Sequence, residues 1–337
     1  MIIKRFKLVL SSLVTFLTIG LSGCVSTEII DLPVETSTGD EIMLCVSAPG
    51  NVTSRAGNDH FIRYVAKLFY ADKAGTGIKF IERKELKEGD NNNIIVFKAP
   101  SINTEYTILV FADYLPEGSL PNESGFYPDC YYDTQSQNEQ LTMNAFTGSD
   151  HKSKCLINND NFDCFSDYNT FMKYEEVKEI NFTLKRATAK VRFIANNSID
   201  NFSKIEFSKF DFCDQFNQIG GTGYRSETFK NSYVSNISFS EPSDLGNNEI
   251  FYFYTLGPKA ADSYLRDIQF KITGKEGDPK TTEISGGYIP IQKNFITNVK
   301  GNFIQEISNE DPNEGDIILY LSTDDTWENP DKSSNWQ

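Results

Sequence analysis

The sequence predicts an all-β protein, arranged as two β-sandwiches in tandem. Three observations predict it. Almost every ordered stretch alternates apolar and polar residues with period 2, as strands buried on one face require. Gly, Asn, Asp and Pro separate these stretches, as turn chemistry demands. No segment carries the long 3.6-residue apolar stripe of an amphipathic helix.

Composition sets the outer bounds. The 337 residues are 39% hydrophobic and 13% aromatic, enough to bury a core and to exclude wholesale disorder. The formal charge of −15 argues against a nucleic-acid partner, because no basic excess exists to displace counterions from phosphates. Two histidines leave little material for general-base chemistry or for a histidine-rich metal site.

In chain order, residues 1–23 read as a signal peptide. Lys4, Arg5 and Lys7 form a basic start, and an apolar run from Leu8 to Leu21 follows, shorter than the roughly 20 residues that span a bilayer. Leu21-Ser22-Gly23-Cys24 resembles a bacterial lipobox, in which the cysteine is acylated and becomes the first residue. Several acyl chains anchor a protein durably. Val25 in second place is similar to lipoproteins released to the outer membrane. Residues 24–39 form a tether, and removal of residues 1–23 takes away three positive charges and no negative one.

A first sandwich is expected over 40–184. Its strands are 41–48, 61–70, 78–84, 93–98 and 105–113; in the second of these Ile62, Tyr64, Ala66, Leu68 and Tyr70 share a side, and Asn91-Asn92-Asn93 reads as a loop. Residues 115–178 are polar and weakly patterned, with Pro116, Pro121 and Pro128, and read as elaborated loops with short strands. A strong strand at 179–195 leads into the second sandwich, 185–322. There Ala187, Ala189, Val191, Phe193 and Ala195 make one face, and Arg186, Thr188, Lys190 and Arg192 make a solvated one. The further strands are 203–211, 232–240, 249–256, 264–273, 282–291, 294–304 and 315–322. An acidic hinge, Gln305 to Gly315, precedes the last, and the tail 323–337 reads as polar and loose.

Motifs that carry chemistry are few in this sequence. There is no Gly-rich phosphate loop, no Gly-x-Ser-x-Gly elbow and no His-Glu-x-x-His, so no cofactor is expected and the chain reads as non-enzymatic. Glu175-Glu176 and Asp324-Asp325 are carboxylate pairs of the kind a glycosidase needs, but in so acidic a chain they read as solvated. Beyond Cys24, five cysteines remain, an odd number that leaves at least one without an intramolecular bridge. His151, Cys155 and Cys164 do not have zinc-ligand spacing. The oxygen-rich run Asn158 to Asp163 lacks the glycine and closing glutamate of a calcium loop. Trp327 and Trp336, which could stack on sugars, fall in the tail. Tyr131 and Tyr132 are candidates for a contact surface, with local packing the competing expectation. Arg55 is the single basic residue of an exposed segment, Pro49 to Gly57, that follows the first strand. Cutting there would release that strand and leave a sheet edge open to another chain.

Several of these pieces together resemble the fimbrillin and fimbrial-anchor lipoproteins of Bacteroidales-type (type V) pili. Leu184-Lys185-Arg186-Ala187-Thr188-Ala189-Lys190-Val191 resembles a strand of that family, and Asn294-Phe295-Ile296-Thr297-Asn298-Val299-Lys300-Gly301-Asn302 resembles its C-terminal Asn-x-x-Thr-x-x-x-Gly-Asn pattern. Tyr106 to Asp113, with Asn144-Ala145-Phe146, is similar to an uncharacterised branch that usually has Asp at the position of Asn144. Ser54-Arg55-Ala56 matches the family's Thr-Arg-Ala segment. The resemblance implies two transthyretin-like, Greek-key sandwiches, a surface lipoprotein of the outer membrane, other fimbrial subunits as partners, and assembly by strand exchange. It makes Arg55-Ala56 the candidate cleavage bond and Ile317, Ile318, Leu319, Tyr320 and Leu321 the candidate donor strand. Anchor members keep their lipid and are not cut. The competing reading is a monomeric surface lipoprotein that binds a host protein or a glycan through the 115–178 loops.

Overall fold

The computed structural model describes residues 40–48, 59–71, 77–99, 102–144, 156–175, 177–196, 202–209, 212–225, 237–239, 248–259, 264–265, 268–274, 280–284, 289–301, 320–324 and 333–335. Among these residues the architecture is all-β, and helical geometry is confined to two 3-10 turns, Asp90–Asn93 and Asp160–Phe162.

The first strands are β1 (Glu41–Ser47), β2 (His60–Ala71), β3 (Ile78–Lys87), β4 (Ile94–Lys98), β5 (Thr104–Pro116), β6 (Tyr132–Asp133), β7 (Gln140–Met143), β8 (Phe165–Lys173), β9 (Val177–Thr183) and β10 (Lys185–Arg186). They are followed by β11 (Thr188–Ala195), β12 (Phe202–Lys209), β13 (Gln215–Asn217), β14 (Thr222–Tyr224), β15 (Ile237–Phe239), β16 (Glu249–Leu256) and β17 (Tyr264–Leu265). The last are β18 (Ile268–Gly274), β19 (Lys280–Ile284), β20 (Ile289–Pro290), β21 (Ile296–Gly301), β22 (Tyr320–Asp324) and β23 (Ser333–Asn335).

Two sheets with the strand orders β4-β1-β9 and β10-β8-β5-β2-β3 share one apolar core. Ile42, Leu44, Val46, Phe97 and Phe182 from the smaller sheet meet Ile62, Tyr64, Ala66, Leu68, Ile108 and Val110 from the larger. A second pair, β16-β11-β21-β22-β23 and β15-β12-β18-β19, closes over another core. There Phe193 stacks on Phe251 at 4.3 Å, and Phe270 meets both rings edge-on. That core also takes in Val65, Phe111, Tyr131 and Phe162. A small sheet, β14-β13-β7-β6, joins early and late sequence, pairing Phe216 with Leu141.

Turn chemistry behaves as the sequence suggests at Asn91, Asn92 and Asn93. All three have positive φ, 44°, 51° and 61°, a region asparagine tolerates better than most residues. Other expectations need correction. The 115–178 stretch contains a nine-residue strand, β8, paired along β5. Its middle residues Tyr168, Asn169 and Thr170 are all exposed, so no alternation marks it. The tail is not loose throughout, since β22 continues to Asp324 and β23 pairs with it. Arg186, Thr188 and Lys190 do not form a solvated face: they are 3%, 0% and 5% exposed. Each is neutralised or hydrogen-bonded inside, with Arg186 on Asp163, Thr188 on Asp163, and Lys190 on Asp160 and over the Tyr252 ring at 3.7 Å. Buried charge is tolerable only with such partners.

Candidate functional site

Cys24, Arg55 and Ala56 lie outside the described residues, as do Ile317, Ile318 and Leu319. Tyr320 and Leu321 begin β22 and pair antiparallel with Lys300 and Val299 of β21. His151, Cys155, Trp327 and Trp336 are also outside the described residues. The structure places two features at the candidate positions it describes: the setting of β1 and the covering of the 115–178 region.

β1 is a central strand. It lies in the middle of its sheet, antiparallel to β4 and parallel to β9 over its whole length. Its burial alternates without a break, and Ile42, Leu44 and Val46 are at most 1% exposed. Both ends are tied: Ala99 N–H donates to Asp40 O, and Leu184 N–H donates to Ser47 O. Ala48 N–H donates to the Tyr64 hydroxyl, which in turn donates to Glu88. Burial raises the Glu88 carboxyl pKa, and the Tyr64 hydrogen bond opposes that rise. The segment after Ala48 carries Arg55, so the candidate bond falls between β1 and β2 in sequence.

The second feature is a buried ionic cluster that clamps the start of the 115–178 region onto the sheet. Arg63 of β2, fully buried, grips Asp113 of β5 through two bonds of 2.9 and 2.8 Å. Its Nη1 reaches Asp129 at 2.9 Å, and Asp129 accepts from Thr134 through both N–H and Oγ1. Glu85 of β3 accepts from Tyr127 N–H and pairs with Arg83. Burial opposes the Arg63 charge, but Asp113, Glu85 and Asp129 outweigh it and raise its pKa above the ordinary arginine value. Lys67 donates to Ser136 O at 2.7 Å, and burial, with Arg83 beside it, pushes its pKa down to about 8.

Tyr131 and Tyr132 pack into the second apolar core, against Phe111 and Phe162, and not onto a surface. They are 2% and 0% exposed, and the Tyr132 hydroxyl donates to Phe162 O. His60 Nε2 lies 3.0 Å from the Tyr131 hydroxyl. The oxygens of the Asn158 to Asp163 run serve protein donors: Asn158 takes Tyr252 N–H, Asn159 takes Asn161 N–H, and Asp160 takes the Tyr254 hydroxyl. Cys164 is buried, and burial raises its thiol well above the ordinary range. No helix among the described residues is long and apolar enough to cross a membrane.

The profile of a family of unknown function, DUF6562, matches residues 35–335. The chain belongs to that family. No curated protein matches the sequence. Among solved structures, this DUF6562 chain is similar to the tip fimbrial protein Mfa3 from Porphyromonas gingivalis with a C-terminal truncation. The identity is 11%, the match covers 84% of this chain and 99% of that one, and the TM-score is 0.45. It is also similar to a fimbrial assembly protein from Parabacteroides distasonis, at 12% identity over 84% and 94% of the two chains, with a TM-score of 0.38.

In this DUF6562 chain the residues that sequence reasoning missed are the members of the ionic cluster. One signal was present. Phe61, Val65 and Phe69 share the β2 face with Arg63 and Lys67, so both faces of that strand are apolar enough to be buried.

Proposed function

We propose that this chain is a non-enzymatic subunit or anchor of a surface fimbria, exported as an outer-membrane lipoprotein through Cys24, that assembles with like subunits by exchange of one β-strand. One observation carries the reading. The segment Glu41-Ile42-Met43-Leu44-Cys45-Val46-Ser47 and the candidate donor Ile317 to Leu321 with one flanking residue on each side, Asp316-Ile317-Ile318-Leu319-Tyr320-Leu321-Ser322, can be aligned without a gap. An acid opens each, a serine closes each, and an aliphatic residue stands wherever β1 is buried.

Cleavage after Arg55 would free a strand that has neighbours on both sides, so its loss would leave a slot with two unpaired edges. Each of Ile42, Leu44 and Val46 contributes about 1.5–3 kcal/mol through burial, so an empty slot is costly and a matching strand is drawn into it. In the donor Leu321 stands for Val46, an added methylene of about 0.8 kcal/mol when buried. Tyr320 stands for Cys45, beside a cavity of about 140 Å3 that Ile94, Ile180 and Asn181 also line. The donor's own end, β22, is paired with β21 on one side and with the edge strand β23 on the other, so its release also unpairs β23 but leaves β16, β11 and β21 joined. The resemblance of residues 184–191 and 294–302 to fimbrillin-type lipoproteins supports the same reading.

The test is the state of the native protein at the cell surface, with and without an arginine-specific protease. A polymerising subunit gives a chain that starts at Ala56 and runs as a detergent-resistant ladder, which Arg55→Ala and Leu319→Asp each abolish. An anchor gives a lipidated chain that starts at Cys24 within short filaments. A lipidated monomer under both conditions overturns the proposal.

A further inference from the structure

A cavity of about 890 Å3 lies along the outer side of β3, the edge strand of the five-stranded sheet, where the 120–137 segment folds against it. That volume is within the roughly 300–1,000 Å3 typical of small-ligand sites. Phe80, Arg83, Phe126, Gln135 and Gln137 are among its lining residues. We infer that this cavity is a binding site for a neutral saccharide. The site is independent of the β1 slot and stands whether or not the chain assembles.

Three properties of the lining point to that ligand class. First, Phe80 and Phe126 are half-buried aromatic residues, and such rings offer flat apolar surface to the C–H face of a sugar ring. Second, Gln135 and Gln137 are exposed carboxamides, each able to donate and to accept, which is what a hydroxyl asks of its partner. Third, the charges of the lining balance, with Arg83 and Lys84 set against Glu82 and Glu85. Lys84 is already engaged by Val96 O at 2.6 Å and by Glu82 at 3.5 Å, so no surplus cation calls for an anionic ligand.

The site is also held in shape before any ligand arrives. The Arg83 guanidinium stacks over the Phe126 ring, 4.8 Å from its centroid, and donates to Thr134 Oγ1. The Arg83 side chain is 9% exposed, and its Nε–H has no acceptor among the described residues. Asn122 Oδ1 accepts from both Ser124 N–H and Phe126 N–H, which fixes the turn that carries the ring. Tyr127 N–H on Glu85 and Arg63 on Asp129 tie the same segment to the sheet. A pre-set aromatic and polar surface loses little freedom on binding, the condition for useful affinity with a small polar ligand.

The test uses the full-length protein, purified in detergent and applied to an array of neutral oligosaccharides built from hexoses and N-acetylhexosamines, with sialylated and uronic-acid-containing counterparts. The expected result is retention on at least one neutral oligosaccharide. Phe126→Ala weakens that binding by about tenfold or more, the usual cost of truncating a central aromatic contact. The double substitution Gln135→Ala with Gln137→Ala does the same. Both glutamines are exposed, so this second variant keeps the wild-type circular dichroism spectrum and answers the question even if Phe126→Ala loosens the loop. Retention on charged glycans alone, no retention on any, or unchanged affinity in the glutamine double variant overturns the inference.

Discussion

Arg63 illustrates how an arginine comes to rest in an interior: Asp113, Asp129 and Glu85 all lie within reach of its guanidinium, and all come from different segments. Removing one partner of such a group leaves the others buried and uncompensated. Arg63→Met is therefore expected to cost about 3–5 kcal/mol in urea denaturation, far more than an exposed ion-pair loss. Lys67 gives a pH-dependent prediction. Its folded pKa of about 8 lies below the ordinary lysine value, so between the two the unfolded chain binds more protons and stability rises with pH. Wild type should gain on the order of 2 kcal/mol over Lys67→Met as pH climbs from 8 toward 10.5, with no such gain below 8. Urea midpoints of both proteins at pH 7.5 and pH 10 check this; parallel curves would remove Lys67 from the account.

At the scale of elements, β1, β2, β5, β11 and β16 were legible because their sequences carry the apolar alternation or density that burial demands. β8 was not, since three consecutive exposed residues erase its period. The β13–β14 hairpin was hidden for another reason: three-residue strands are too short to show any period, and their pairing depends on β7, far away in sequence. The same hairpin holds a sharp packing constraint. A Cβ at Gly223 would collide with the Leu256 carbonyl oxygen, and one at Gly257 with the Lys293 backbone. Gly223→Ala is expected to lose about 1–3 kcal/mol by overpacking, read as a lowered melting temperature, whereas Gly118→Ala, with open space around it, changes little. In β1 itself, Leu44→Ala should cost about 2–5 kcal/mol, as a fully buried leucine does.

For the molecule as a whole, the proposal makes β1 at once a core strand and a replaceable one. Protein cut after Arg55 and stripped of β1 should melt at a lower temperature than the intact chain. A peptide of residues 316–322 should restore the melting temperature as its concentration rises, because a ligand that binds only the folded state stabilises it by mass action. A scrambled peptide of the same composition should not. If neither peptide acts, the correspondence between the two segments has no bearing on assembly. The saccharide inference is separable, since the cavity lies along β3 and shares no lining residue with the β1 slot.

The sequence by itself determined the all-β class and most of the strands, because period-2 burial is written locally and each strand's partners need not be known. The proposed lipid anchor, cleavage bond and donor segment are read from short linear stretches of the sequence alone. Only the tertiary structure decided that β1 is central, that Arg186, Thr188 and Lys190 turn inward, and that Arg63 finds its carboxylates on Glu85, Asp113 and Asp129, all distant in sequence. A strand's neighbours and a charge's partners are set by how sheets stack, and hydrophobic patterning says which face is buried without saying against what.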